Sequence, residues 1–339
     1  MAPARPTLLF AMDPVLTARV FTPEASARLN TLCTVLDPRP LHGWDTAQAV
    51  ALLPRAEVLV TGWGAPPLGP EVLDRAKALK LIAQSAGSVK RLLTDPSLFA
   101  RGIAVTTAAD ANAVPVAEFT LAAVLLANKQ VFRFRELYRQ DRSRRWTDAL
   151  AASPIGNFGR TVGIVGASRI GRLVVERLRN FDLDVLIHDP FLGPDDPVLA
   201  TARQADLTEL LSRSDVVSLH APLLDDTRGI IGAQELAKMA DGATLINTAR
   251  GALVDQNALI AELATGRLSA VLDVTFPEVP DTASPLYDLP NVFLTPHAAG
   301  AMGLEQGRLG NLVVGEVARH CANTPLRHAL TAEVYARSA

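Results

Sequence analysis

The sequence predicts an α/β chain of two doubly wound units, each a parallel sheet with helices on both faces. Three observations carry this. Short apolar runs of strand length alternate with helical patterns along most of the chain. One run, inside Thr161–Arg172 (TVGIVGASRIGR), breaks at Gly166, turns through Ala167-Ser168-Arg169 and resumes at Ile170-Gly171 as a helical pattern. Before it, Ser153–Gly159 is rich in Gly and Pro and reads as a linker. A chain of 339 residues has the length of two domains, and 49% apolar content suffices for two cores.

In the first unit, strands are expected at Thr7–Met12, Leu32–Leu36, Glu57–Thr61, Leu81–Ser85 and Ile103–Thr106. Helices are expected at Pro14–Asn30, Thr46–Leu53 and Pro70–Leu79. Asn112 opens a long helix to about Tyr138, with Pro115 suited to its first turn and Glu118 to its positive end. Its apolar part, Ala113–Ala127, is too short to span a bilayer and reads as buried. The arginines at 133, 135, 139, 142, 144 and 145 alternate with Glu136, Asp141 and Asp148, as on a solvated face. In the second unit, strands follow the glycine turn at Val185–Ile187, Val216–Leu219, Thr244–Ile246, Ala270–Val274 and Val292–Leu294. Gln256–Ala264 is a helix stopped by Gly266, and the chain is helical again from about Gly303 to Cys321.

Composition excludes several classes. A net charge of −2 argues against nucleic acid or an anionic membrane as partner. Two cysteines, Cys33 and Cys321, lie too far apart in sequence to suggest a disulfide framework or a zinc site, which favours a reducing cytoplasm and no metal. The first residues, MAPARPTLLFAMDP, hold too short an apolar run for a signal peptide. G-x-S-x-G, G-x-x-x-x-G-K-[ST] and H-E-x-x-H are all absent from the sequence.

The glycine turn has a specific reading. Strand, tight turn and helix set backbone N–H groups at a positive helix end, where a pyrophosphate can sit. Asp189 follows the next apolar run, 18 residues after Gly171, where a carboxylate can accept hydrogen bonds from a ribose. The motif departs from G-x-G-x-x-G in having Ser168 at its middle position. That side chain either pushes a pyrophosphate outward or offers it a hydroxyl; the plain alternative is an ordinary βα turn.

Three charged groups follow strands of this unit: Arg250 in Asn247–Gly251, Glu278 after Asp273, and His297 after Thr295-Pro296. All emerge on the edge where the glycine turn emerges. An arginine there can grip a carboxylate, and a histidine beside a carboxylate can deliver a proton. That suits a ketone taking hydride at carbon and a proton at oxygen. His220 reads as a packed residue beside the dinucleotide. His42, His320 and His328 carry no context.

These segments are similar to the D-isomer-specific 2-hydroxyacid dehydrogenase family. The matching stretches are Val114–Leu121, the glycine turn, Val216–Pro222, Leu245–Asp255, Val271–Val274 and Leu289–Gly300. The resemblance implies a flavodoxin-like substrate domain, residues 1–112 and 303–339, and an inserted Rossmann NAD-binding domain, residues 113–302. It implies catalysis by Arg250, Glu278 and His297, with NAD as cofactor. It places Gly166, Ser168, Arg169, Ile170, Asp189, His220, Ala221, Thr248, Ala249, Arg250, Asp273, His297 and Gly300 around the cofactor. It places Gly87, Ser88, Val89, Asn112 and Arg250 around substrate, with Lys90 and Met302 as further walls. Thr275-Phe276 replaces the family's usual aromatic–acidic pair before Glu278, and Val89 replaces a usual glycine. Trp146 resembles a tryptophan that reaches the partner subunit's site in some glyoxylate and hydroxypyruvate reductases. The implied protein is a cytoplasmic homodimer, joined through the inserted domain, that converts 2-oxo acids to D-2-hydroxy acids. Phosphoglycerate dehydrogenases usually add a regulatory domain, for which this chain has no length left. Formate dehydrogenase pairs its histidine with glutamine, where this chain has Glu278. The rival reading is a dinucleotide-sensing co-repressor on the same fold.

Overall fold

The structure, a computed structural model, describes residues 5–145 and 153–337. Trp146 lies outside them. The chain divides into two compact units, residues 1–113 with 301–339, and residues 114–300.

The first unit is built on β1 (Thr7–Ala11), β2 (Thr34–Val35), β3 (Val58–Thr61), β4 (Leu81–Gln84) and β5 (Ala104–Thr107), parallel in the order β2-β1-β3-β4-β5. This is the flavodoxin-like order. Successive side chains of a strand point to opposite faces, and each face here meets its own core. Leu9, Leu59, Ile82 and Val105 serve one, and Leu8, Phe10, Val58, Val60, Leu81 and Ala83 serve the other. Helix Gln306–Cys321 covers the second face with Leu309, Val313, Val314 and Val317.

Local chemistry corrects several expected boundaries. The helix expected over Pro14–Asn30 is two, Pro14–Val20 and Pro23–Leu32, because Thr22 caps the second through its hydroxyl and Pro23 opens it. The long helix begins earlier, at Ala109, with Asp110 in its first turn, so Pro115 lies inside it. It stops at Asn128, and a second helix, Val131–Asp141, starts after Gln130 at φ 51°. Ala109–Asn128 is therefore 20 residues, long and apolar enough to cross a membrane by length and composition. Its Ala117, Ala123, Val124 and Ala127 pack in the core of the second unit. Beyond it Arg135 and Arg139 pair with Glu136, and Arg145 with Asp141, as a solvated face requires.

The second unit is built on β6 (Phe158–Val165), β7 (Asp182–His188), β8 (Arg203–Gln204), β9 (Val216–Leu219), β10 (Thr244–Asn247), β11 (Ser269–Leu272) and β12 (Val292–Leu294). Their order is β12-β11-β10-β9-β6-β7-β8, and neighbouring strands are parallel. The order reverses at β6, so the crevice of this doubly wound sheet opens at the carboxyl ends of β6 and β9. Phe158 and Gly159, expected in a linker, are the first residues of β6. Helix Gln256–Ala264 has the expected bounds, capped by Asp255. Helices Leu207–Arg213 and Ala233–Lys238 fall between strands, where helices are expected, whereas the two-residue strand β8 and the short helix Ala332–Ala336 are not foreseen.

Candidate active site

The glycine turn follows β6. Gly166 has φ 104°, and a Cβ there would lie 2.4 Å from the Ala221 backbone nitrogen. Only glycine lets the turn lie this close to the strand end after β9. Ser168 needs no such freedom at φ −69°; its hydroxyl caps helix Arg169–Leu178 by accepting from the Gly171 amide at 3.3 Å. Serine at the middle position thus completes the helix end in a way a glycine could not. Asp189 ties the turn to β7: one carboxylate oxygen accepts from the Ala167 amide at 2.8 Å, the other from the Phe191 amide at 2.9 Å. A carboxylate has about four acceptor sites, so capacity for ribose hydroxyls remains. Arg172 was not anticipated; its Nε donates to the Ala167 carbonyl at 2.8 Å and its guanidinium pairs with Asp196. That contact lowers the Asp196 carboxyl to about 2. The turn, with its ten-residue helix behind it, fits a pyrophosphate.

His220, after β9, is 3% exposed. Its Nε2 lies 2.9 Å from Ser218 Oγ, and its Nδ1 is buried without a partner. Burial lowers its pKa to about 3, so the ring is neutral near pH 7.

The charged residues sit on three loops of the same edge. After β10, Asn247 shapes the first loop: its Oδ1 accepts from the Ala249 amide and its Nδ2 donates to the Arg250 carbonyl. The Arg250 guanidinium donates to the Ala249 carbonyl at 2.7 Å. Thr248 is buried and its hydroxyl meets that of Thr120 at 2.9 Å. After β11, the Thr275 hydroxyl donates to the carbonyls of Pro277 (2.7 Å) and Glu278 (3.0 Å). The residue that departs from the family pattern therefore holds the turn that presents Glu278. Gly251 seats the Arg250 loop against this turn, since a Cβ on it would lie 2.0 Å from the Thr275 carbonyl carbon.

After β12, His297 adopts φ 56°, a left-handed conformation uncommon for a side chain of this size. The conformation is held from below. The His297 amide donates to the Asp273 carbonyl at 2.8 Å. The Asp273 carboxylate, 1% exposed, accepts from the Thr295 hydroxyl and the amides of Ala298 and Ala299. The carboxylate is directed into the loop. Above it, His297 Nδ1 contacts Glu278 Oε1, with both side chains about half exposed. The structure thus brings His297 and Glu278 together and joins the Arg250 loop to theirs by backbone contact.

In the first unit, the loop after β4 is pinned by Gln84, which accepts from the Thr61 hydroxyl and donates to the Ser88 carbonyl. Gly87 lies against Asn112, whose Oδ1 accepts from the Ala301 amide. Val89 is 2% exposed and belongs to the core. It cannot serve as a substrate wall, and only its backbone is available. The Lys90 ammonium rests over the Tyr335 ring, 4.1 Å from its centroid. His328, which had no sequence context, bonds Asp110 at 2.6 Å.

A doubly wound sheet with a glycine turn, a following acid and an imidazole–carboxylate pair on one edge defines a dinucleotide-binding α/β protein. Residues 121–299 match the family model described as D-isomer specific 2-hydroxyacid dehydrogenase, NAD binding domain. The chain is 34% identical over 304 residues to a D-3-phosphoglycerate dehydrogenase of Mycobacterium tuberculosis, covering 89% of this chain and 56% of that protein. It is 33% identical to a glyoxylate reductase of Korarchaeum cryptofilum, covering 73% of this chain and 74% of that protein. Among solved structures, a phosphoglycerate oxidoreductase from Rhizobium etli superposes with a TM-score of 0.80 at 25% identity, covering 96% of this chain and 98% of that one. The chain belongs to the D-isomer specific 2-hydroxyacid dehydrogenase family, and residues 121–299 are its NAD-binding domain. It spans about half the length of the curated phosphoglycerate dehydrogenases it matches.

Proposed function

We propose that this protein interconverts a 2-oxo acid and a D-2-hydroxy acid with NAD(H). The observation that carries the reading is the Glu278–His297 contact on the carboxyl edge that also bears the glycine turn. The turn residues Gly166–Ile170, with Asp189, His220, Ala221, Thr248, Ala249 and Gly300, would hold the dinucleotide. NAD supplies hydride donation and acceptance when bound. The rest belongs to the chain. Glu278 accepts from His297 Nδ1, which fixes the ring and leaves Nε2 to give the proton to the substrate oxygen, or to take it in the oxidative direction. Arg250 offers the planar fork that pairs with a carboxylate and keeps an oxo acid in one orientation. Gly87, Ser88, the Val89 backbone and Asn112 are proposed as further substrate contacts.

Asp189 disfavours a 2′-phosphate, so NAD is expected to be preferred over NADP. We place the protein in the cytoplasm as a homodimer joined through the unit 114–300, checked by mass in solution. The relatives' names, phosphoglycerate dehydrogenase and glyoxylate reductase, set the ends of the substrate panel; hydroxypyruvate, pyruvate, 2-oxoisocaproate and phenylpyruvate fall between. The matches cited name a dehydrogenase, a reductase and an oxidoreductase, and none supports the co-repressor reading. NADH oxidation across the panel is the test. NADH binding without oxidation by any member would overturn the enzymatic reading.

A further inference from the structure

The chain has two cysteines, 288 residues apart in sequence, and the fold sets their sulfurs 3.9 Å from each other. Sequence distance argued against any pairing; tertiary structure reverses that. Both lie in the unit formed by residues 1–113 and 301–339. Cys33 follows helix Pro23–Leu32 as its C-cap, and Cys321 is the last residue of helix Gln306–Cys321. Cys33 is buried and Cys321 exposed, and the Cys321 thiol points toward the Leu32 carbonyl at 3.7 Å.

We infer that Cys33 and Cys321 are a dithiol–disulfide pair, a reversible covalent staple between helix Gln306–Cys321 and helix Pro23–Leu32, formed by exchange with a small-molecule disulfide. The geometry supports closure. The sulfurs must approach from 3.9 Å to a bond of about 2.05 Å. Both residues sit at helix ends, where a small backbone adjustment does not break the middle of a helix. The exposure difference sets the order of events. The Cys321 thiolate attacks the reagent disulfide, whose S–S bond breaks and releases one thiolate, leaving a mixed disulfide on Cys321. Cys33 then gives up its proton and attacks the Cys321 sulfur. The protein S–S bond forms and the second reagent thiolate leaves. Two protein thiols lose two electrons and two protons, and the reagent disulfide becomes two thiols.

Burial, then the neighbouring Cys321 and Glu57, push the Cys33 thiol up to about 12, with Arg5 opposing. The second step is therefore slow for a free thiol, and contact between the sulfurs provides the effective concentration that offsets this. The bond would join the segment before the unit 114–300 to the segment after it.

The test uses the full-length protein incubated with oxidised glutathione, then with a reducing dithiol. Thiol titration and non-reducing intact mass are read at each stage. The expected result is a fall from two titratable thiols to none, with loss of two hydrogens, no glutathione adduct, and full recovery on reduction. The variant Cys33→Ala should instead keep one glutathione on Cys321. Wild-type protein that retains both thiols, carries a persistent adduct on Cys321, or forms covalent dimers would overturn the inference.

Discussion

Asp273→Ala should be among the most damaging single changes in the unit 114–300, because the side chain is buried beneath the His297 loop. Its carboxylate accepts from the Thr295 hydroxyl at 2.6 Å and from the Ala298 and Ala299 amides at 2.7 and 3.0 Å. Alanine strands all three donors. A buried donor without a partner costs about 1–3 kcal/mol. Water can reach Thr295 and Ala298, which are only partly buried, so the sum falls to about 3–5 kcal/mol. That is a large fraction of a typical stability of about 5–15 kcal/mol. The loss is centred on the loop that keeps His297 at φ 56°. Asp273→Asn keeps one acceptor oxygen but turns an NH2 group toward an amide, and should cost about 1.5–3 kcal/mol. Urea unfolding gives the stability change, provided the slope with denaturant is unchanged. Turnover should fall further than NADH affinity, because the loop carries the imidazole. An Asp273→Ala protein within about 1 kcal/mol of wild type would refute the ledger of stranded donors.

The other expectations concern the same edge. His297→Ala should lower kcat by about 10²–10⁴ while NADH binding by fluorescence titration stays nearly intact; surviving activity would place the acid elsewhere. Asp189→Ala should relax the preference for NADH over NADPH and weaken both, since the Ala167 and Phe191 amides lose their acceptor; an unchanged KM ratio for the two cofactors would contradict it. His220 contributes a pH dependence. Burial takes its folded pKa down to about 3. Below the ordinary histidine value the unfolded chain binds a proton that the folded chain refuses, so stability falls as pH drops from about 6.5 toward 3. His220→Gln should flatten that slope by about one proton in urea titrations across the window, and an equal slope in both proteins would show the residue is not the source.

Much of the fold was legible because a parallel sheet writes itself plainly. Strands buried on both faces are continuous apolar runs, such as Val185–Ile187 and Ala270–Leu272, and their carboxyl ends share one edge. Arg250, Glu278 and His297 could be chosen on that ground, and the structure sets Glu278 against His297. A local stop signal is legible at Gly266, which ends helix Gln256–Ala264, whereas Thr22-Pro23, an equally clear cap and first turn, lies within the amphipathic run Pro14–Asn30 and splits it in two. The remainder depends on contacts between distant residues. Nothing local marks Asp273 as the acceptor for residues 295–299, His328 as the partner of Asp110, or Cys33 as the neighbour of Cys321.

The departures from the family pattern show how such distant contacts absorb a substitution. Ser168 replaces a glycine where φ is ordinary, and its hydroxyl takes the Gly171 amide. Gly166 is irreplaceable because its φ is positive and the Ala221 backbone leaves no room. Thr275 stands where an aromatic would, and its hydroxyl bridges two carbonyls of the turn that carries Glu278. Tolerance at this edge therefore follows backbone geometry more than residue class. Gly251 tests the distinction: it needs no unusual φ, yet an added Cβ would strike the Thr275 backbone, which has no side-chain end free to give way. Gly251→Ala must push the Arg250 loop and the Glu278 turn apart. If the two loops act as one unit, KM for the oxo acid and kcat should both worsen while NADH affinity is kept. A change confined to KM would mean that Arg250 and Glu278 are positioned independently.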